Sequence, residues 1–179
     1  PFSAAPGAPL RPNTGTTGCQ FPAGRPPWHR RRRPAAGCAI LAAMTPPAAP
    51  LRLLHLEDAE PDHALAMAVL RRGGLCVEAE RVDTLGAFAA ALERPWDLIL
   101  SDYNLPGFTG LDALQRLRES GRPIPFVLVS GEIGEDTAVT AMRNGAADYL
   151  LKNNLARLVP AVEHAIEAAR TQRAREAAD

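Results

Sequence analysis

At 179 residues the chain has the size of one domain with tails, long enough to bury a real core. Its formal net charge of zero hides an asymmetry: residues 1–50 carry six arginines and no acid, whereas residues 51–179 carry 14 basic and 20 acidic groups. Three cysteines, with no CxxC pair among them, argue against a disulfide framework and a zinc site and point to the cytosol.

Residues 1–50 hold 11 of the 17 prolines and few large apolar side chains, too little to offset the entropy of ordering, so they are expected to be a disordered tail. The run His29-Arg30-Arg31-Arg32-Arg33 reads as a solvated basic segment, with nucleic acid or an anionic membrane as the alternative partner. Residues 35–44 are weakly apolar and far too short for a membrane span, so none is expected. The chain opens on Pro1, which makes Met44 a candidate start and the preceding residues candidate upstream sequence. Cys19, Cys38 and Trp28 fall in this tail and receive no role.

From residue 51 onward strands and helices alternate. Residues 51–56 form an apolar strand ending at Glu57-Asp58, and Pro61 suits the first turn of a helix with Leu65, Ala68 and Val69 on one face. Gly73-Gly74 breaks it, residues 75–82 read as a second strand, and Thr84 caps a helix running through Phe88 and Leu92 to Arg94, where Pro95 stops it. Residues 97–101 make a third strand without apolar alternation, as expected when both faces are covered, and it ends at Asp102. A third helix carries Leu111, Leu114 and Leu117, and Gly121 and Pro123 terminate it. Residues 126–129 are the fourth strand. Residues 134–144 are a short helix with Val139 and Met142 inward and Gly145 as its C-terminal cap, and residues 147–151 are the fifth strand. Leu155, Leu158, Val159, Val162, Ile166 and Ala169 then mark an amphipathic last helix, whose polar continuation covers residues 171–179. The folded unit is therefore placed at residues 51–170.

Five strands alternating with five helices predict an α/β fold: a parallel sheet with right-handed crossovers, helices on both faces and a ligand crevice at the C-terminal strand ends. Four of those ends are polar: Glu57-Asp58, Asp102, Ser130 and Lys152. Three carboxylates gathered in one crevice repel by about 3 kcal/mol per pair at an effective dielectric of about 20, so cations are required. Lys152 supplies one charge. It is the only lysine in a chain with 19 arginines, and a compact ammonium does what a planar guanidinium does not. A hard divalent ion supplies the rest. Mg²⁺ fits a site of few protein oxygens, with Asp58, Asp102 and the backbone carbonyl of Asn104 as ligands and Glu57 acting through water.

Glu57-Asp58, Ser101-Asp102-Tyr103-Asn104-Leu105-Pro106-Gly107, Ser130-Gly131-Glu132 and Asp148-Tyr149-Leu150-Leu151-Lys152 together resemble the motifs of response-regulator receiver domains, in the family's order, over roughly residues 51–170. The resemblance implies a flavodoxin-like (βα)5 sheet of strand order 2-1-3-4-5. It implies a cytoplasmic signalling module rather than an enzyme, with Asp102 accepting a phosphoryl group from a histidine kinase or phosphotransfer protein while Mg²⁺ and Lys152 neutralise charge. Ser130 would then donate to a phosphoryl oxygen. Tyr149 would turn inward behind it, changing the face formed by the fourth helix, fifth strand and last helix, where a downstream effector docks. Asn104 and Glu132 would tune dephosphorylation. Homodimers are compatible with this reading, and direct nucleic-acid binding is not expected.

Three positions depart from the family's commonest pattern: Glu57 stands for Asp, Ser130 for Thr, and Asn153 follows Lys152 where a cis-proline is usual. The Lys152-Asn153 peptide is accordingly either trans or a costly cis bond. A haloacid-dehalogenase-type phosphatase, the alternative from another class, needs a second Asp where Asn104 stands. A flavin-binding module lacks its phosphate-cradling loop, and a receiver that works without phosphorylation would not need the acidic set. Trp96, His55, His63 and His164 are expected in core or surface roles. No output motif follows residue 152, which leaves a single-domain regulator or the receiver of a larger sensor protein.

Overall fold

In the computed structural model, residues 49–132 and 134–179 are described; the expectations placed on the N-terminal tail and on Met44 lie outside them. Five strands, β1 (Leu51–Leu56), β2 (Val77–Val82), β3 (Leu98–Asp102), β4 (Phe126–Ser130) and β5 (Asp148–Leu151), pair in parallel in the order β2-β1-β3-β4-β5. The helices are α1 (Glu60–Arg72), α2 (Leu85–Ala91), α3 (Gly110–Ser120), α4 (Glu135–Arg143) and α5 (Leu158–Ala178).

Strands β3 and β4 are buried at every residue, which is why their sequences read as unbroken apolar runs closed by polar residues, Ser101 and Asp102 in β3 and Ser130 in β4. Alternate residues feed two cores. Leu54, Leu56, Ile99, Phe126 and Leu128 pack with Phe88 of α2, Leu114 and Leu117 of α3 and Ala141 of α4. Leu53, Leu98, Leu100, Val127 and Val129 pack with Met67 and Leu70 of α1 and Leu158 and Val162 of α5 on the other face. The chain crosses from one face to the other between β1 and β3, and the crevice above that switch point lies at the carboxyl ends of those two strands.

Two helix faces differ from the sequence expectation. Leu65 of α1 is 53% exposed, and the buried stripe is Ala66, Met67 and Leu70, about one residue further round the helix. Val139 and Met142 of α4, expected inward, are 49% and 48% exposed, and α4 meets the sheet side through Ala141. Periodicity identifies an apolar stripe, but where small residues such as Ala66 and Ala141 allow close approach, the helix rotates them to the contact. The last helix also starts later than its pattern suggests. A 3₁₀ segment, Lys152–Arg157, precedes it with a non-helical Asn154, and its core seam is Leu158, Ala161, Val162 and Ala165. No peptide among the described residues is cis, so the Lys152-Asn153 bond is trans.

After β3 the chain makes a short antiparallel ladder, Asn104–Leu105 against Phe108–Thr109, closed by Gly107 at φ +82°. Thr109 then opens α3 with a capping box: its hydroxyl accepts from the Asp112 amide, and the Asp112 carboxylate accepts from the Thr109 amide at 2.7 Å. This cap fixes the segment that follows Asp102. Thr109→Ala is expected to lower stability by about 1 kcal/mol in urea unfolding; a change below a few tenths would mean that neighbouring contacts, not the cap, hold the turn.

Candidate functional site

Four of the five strand ends contribute polar groups to the crevice. Asp102, the last residue of β3, is 5% exposed; Glu57, directly after β1, is 2% exposed; Ser130 ends β4 and is 2% exposed. Asp58 is exposed at the rim. Lys152 reaches in from the end of β5, its ammonium 2.8 Å from Oδ2 of Asp102 and 3.2 Å from Oε2 of Glu57. The other oxygen of Asp102, Oδ1, is buried without a hydrogen-bond partner. Carboxylate oxygens of Glu57, Asp58 and Asp102 lie within 4.8 Å of one another. An orphaned buried carboxylate oxygen beside two further hard oxygen donors is a donor set that fits a hard divalent cation.

Two residues that the sequence reading did not single out complete the crevice. Asp62, in the first turn of α1, is the nearest of the three acids on Lys152, with Oδ2 2.7 Å from Nζ. Arg81 donates to the backbone carbonyls of Glu57 at 3.0 Å and Asp58 at 3.3 Å, holding the acidic turn from β2. An acid in a first helical turn reads in sequence as a partner of the helix dipole, and Arg81 reads as an ordinary strand residue. Only the folded chain brings them to the site.

Burial, with the charge of Asp102, pushes the Glu57 carboxyl above its ordinary range, against the Ala59 amide and Lys152. For Lys152 burial favours the neutral amine, but the hydrogen bonds of Asp102 and Asp62 and the charge of Glu57 outweigh it and hold the ammonium above its usual value. The lysine is thus a fixed positive charge throughout the physiological range.

Ser130 and Glu132 form a tight turn: the hydroxyl donates to the Glu132 carbonyl at 3.1 Å and accepts from the Glu132 amide at 3.2 Å. The Tyr149 hydroxyl donates to the same carbonyl at 3.0 Å, and its ring packs against the core beneath α4. The two residues therefore meet at one acceptor in the loop after β4. The Asn104 and Glu132 side chains are exposed at the crevice rim.

Beneath Glu57, His55 is buried at 3% exposure, and its Nδ1 lies 2.7 Å from Nδ1 of His63 on α1, one ring carrying the bridging proton. Burial first, then the His63 ring and the Lys152 and Arg81 charges, lower the His55 pKa from 6.5 to about 3. The unfolded chain takes up this proton near 6.5 and the folded chain only near 3, so stability present above pH 6.5 is lost as pH falls through that window. The loss attributable to His55 is expected to reach about 2 kcal/mol at pH 5. Glu57, with its raised pKa, works in the opposite sense, so the quantity to measure is the difference between wild type and His55→Gln in urea unfolding from pH 7 to 5. Equal slopes would show that His55 is not the group responsible.

A family model described as the response regulator receiver domain matches residues 54–163. The chain is a response regulator receiver domain. Among curated relatives, the phosphate regulon transcriptional regulatory protein PhoB of Escherichia coli is 35% identical to the receiver over 105 residues, covering 56% of this chain and 44% of PhoB. The receiver spans less than half the length of the curated relatives it matches. Among solved structures, the receiver domain of a LuxO repressor protein from Vibrio parahaemolyticus aligns with a TM-score of 0.65 at 25% identity, over 72% of this chain and 98% of that one. The phosphorylated cyanobacterial phytochrome response regulator RcpA aligns with a TM-score of 0.55 at 26% identity, over 64% and 89%. The five-stranded order found here is that of a flavodoxin-like receiver, and the module belongs to two-component signalling. Among the described residues no helix is long and apolar enough to cross a membrane.

Proposed function

We propose that this receiver is a phosphoacceptor: Asp102 takes a phosphoryl group from the phosphohistidine of a histidine kinase or phosphotransfer protein. The observation that carries the reading is the state of the Asp102 carboxylate, buried, held on one oxygen by Lys152 and unpartnered on the other. The Asp102 oxygen attacks phosphorus, the O–P bond forms as the donor P–N bond breaks, and the electron pair leaves on the imidazole nitrogen. Glu57, Asp58 and Asp102, with the Asn104 carbonyl, would hold Mg²⁺. When bound, that ion neutralises charge on the transferring oxygens. Lys152 stabilises the same charge from the β5 side. RcpA, a relative of similar fold, is described in a phosphorylated state, which favours the same chemistry here.

The signal leaves by the face made of α4, β5 and α5. Ser130 turns its hydroxyl from the Glu132 carbonyl to a phosphoryl oxygen, and Tyr149, bonded to that carbonyl, repacks beside it. Val139 and Met142 expose apolar surface on α4, which suits a face that takes an effector protein or domain, or a second copy of the receiver. Asn104 and Glu132, at the rim, tune the lifetime of the phosphoryl group. The receiver acts in the cytoplasm as a signalling module, without direct contact to nucleic acid.

The test is incubation with a small acyl-phosphate donor, with and without Mg²⁺, read by intact mass. One labile phosphoryl group per chain, dependent on Mg²⁺, is expected. A folded wild type that binds Mg²⁺ but gains no mass would leave a phosphorylation-independent interaction module.

A further inference from the structure

Lys152 has three N–H donors and three carboxylate acceptors: Asp62 at 2.7 Å, Asp102 at 2.8 Å and Glu57 at 3.2 Å. These three acceptors have different fates once the site works as proposed above. Asp102 and Glu57 belong to the acidic cluster, whose oxygens lie within 4.8 Å of one another and of Asp58; Asp62 does not belong to it. Cation binding draws on the charge of Glu57 and Asp102, and phosphoryl transfer turns an Asp102 oxygen into part of an acyl phosphate. The Asp62 carboxylate is the one partner of the ammonium that neither event takes away. It sits on a different element from the cluster, at the start of α1, whose Met67 and Leu70 are packed into the core against the sheet, so its position is fixed independently of the metal.

We propose that Asp62 is a positioning residue for phosphoryl transfer: by clamping the Lys152 ammonium from the α1 side, it keeps the lysine within reach of the transferring oxygens while its other two partners are engaged. The inference rests on the phosphoacceptor reading of Asp102. Without the clamp, the long lysine side chain recovers rotamer freedom and swings toward water, since it is already partly exposed. Glutamate at this position keeps the charge and offers a longer reach to the same ammonium.

The chain itself provides a specific probe, because Lys152 is its only lysine. Protein grown with ¹⁵N-lysine has a single side-chain ammonium, and a clamped, slowly exchanging ammonium gives a resolved ¹H–¹⁵N signal, whereas a freely solvated one is broadened by exchange with water. At saturating Mg²⁺ one such signal is expected in wild type; in Asp62→Asn it should disappear, and in Asp62→Glu it should return. With a small acyl-phosphate donor, the initial rate of phosphoryl uptake at saturating Mg²⁺ should fall about tenfold in Asp62→Asn, the loss of one charge-assisted contact in the transition state. The Mg²⁺ concentration giving half-maximal rate should stay unchanged, and Asp62→Glu should restore most of the rate. A merely structural loss at α1 would move stability without this split between rate and metal affinity. An Asp62→Asn protein that loads as fast as wild type or faster, or one whose defect lies in Mg²⁺ affinity, overturns the inference and leaves the phosphoacceptor reading intact. A wild type that takes up no phosphoryl group overturns that reading and this inference with it.

Discussion

Asp102→Asn is expected to abolish phosphoryl uptake from an acyl-phosphate donor while making the metal-free protein more stable. The loss follows from chemistry: a neutral amide is a poor nucleophile toward phosphorus, and among the described residues no other carboxylate in the crevice is both buried and half-partnered as Asp102 is. The gain follows from electrostatics. Each carboxylate pair within 4.8 Å repels by about 3 kcal/mol at an effective dielectric of about 20, so removing the Asp102 charge relieves about 6 kcal/mol against Glu57 and Asp58. It forfeits an attraction of similar size to Lys152 at 2.8 Å, although the Asn oxygen still accepts that hydrogen bond. What remains is the removal of a buried charge and its unsatisfied Oδ1, expected to add about 1 to 2 kcal/mol in urea unfolding without divalent ions. Mg²⁺ should stabilise wild type by about 2.7 kcal/mol at a hundredfold excess over its dissociation constant, and the variant by much less. A variant that still gains a labile phosphoryl group would move the acceptor to another residue; one less stable than wild type without metal would show that the Lys152 pair outweighs the carboxylate repulsion.

Gly110→Ala is expected to cost about 3 kcal/mol or more, although alanine favours helices and Gly110 opens one. A Cβ there would lie 2.6 Å from the backbone carbonyl of Asp102 and 3.2 Å from Oγ of Ser101, and would overlap Cδ1 of Leu128. The leucine methyl can rotate away. The carbonyl cannot, because it belongs to the central strand and also accepts from the Ser101 hydroxyl at 2.9 Å. Relief must come from moving α3 or the end of β3, and the end of β3 is where Asp102 stands, so phosphoryl uptake should fall together with stability. Gly86 in α2 has nothing within 4 Å of the same added atom, and Gly86→Ala is expected to stabilise by about 0.5 to 1 kcal/mol. Similar changes in the two variants in urea unfolding would show that close packing of α3 on β3 is not what requires glycine at residue 110.

The alternation of apolar runs with helical stripes, and a polar residue at the end of four strands, determined the fold class, the strand count and the residues facing the crevice. These features are local: a strand buried on both faces has to be apolar along its length, so the group that ends it is conspicuous. The single lysine among 19 arginines was legible in the same way. Tertiary structure alone decided which side of α1 and α4 meets the sheet, because that rotation depends on how closely Ala66 and Ala141 can approach their neighbours. It also brought Asp62 to Lys152 across 90 residues of chain and Arg81 to the Glu57 carbonyl across 24, and it set the His55 ring in hydrogen-bond contact with that of His63. A charge on a first helical turn or an arginine on an edge strand has many possible partners in sequence. Parallel crossovers place the ends of distant segments together, so the partner is set only once the sheet has formed.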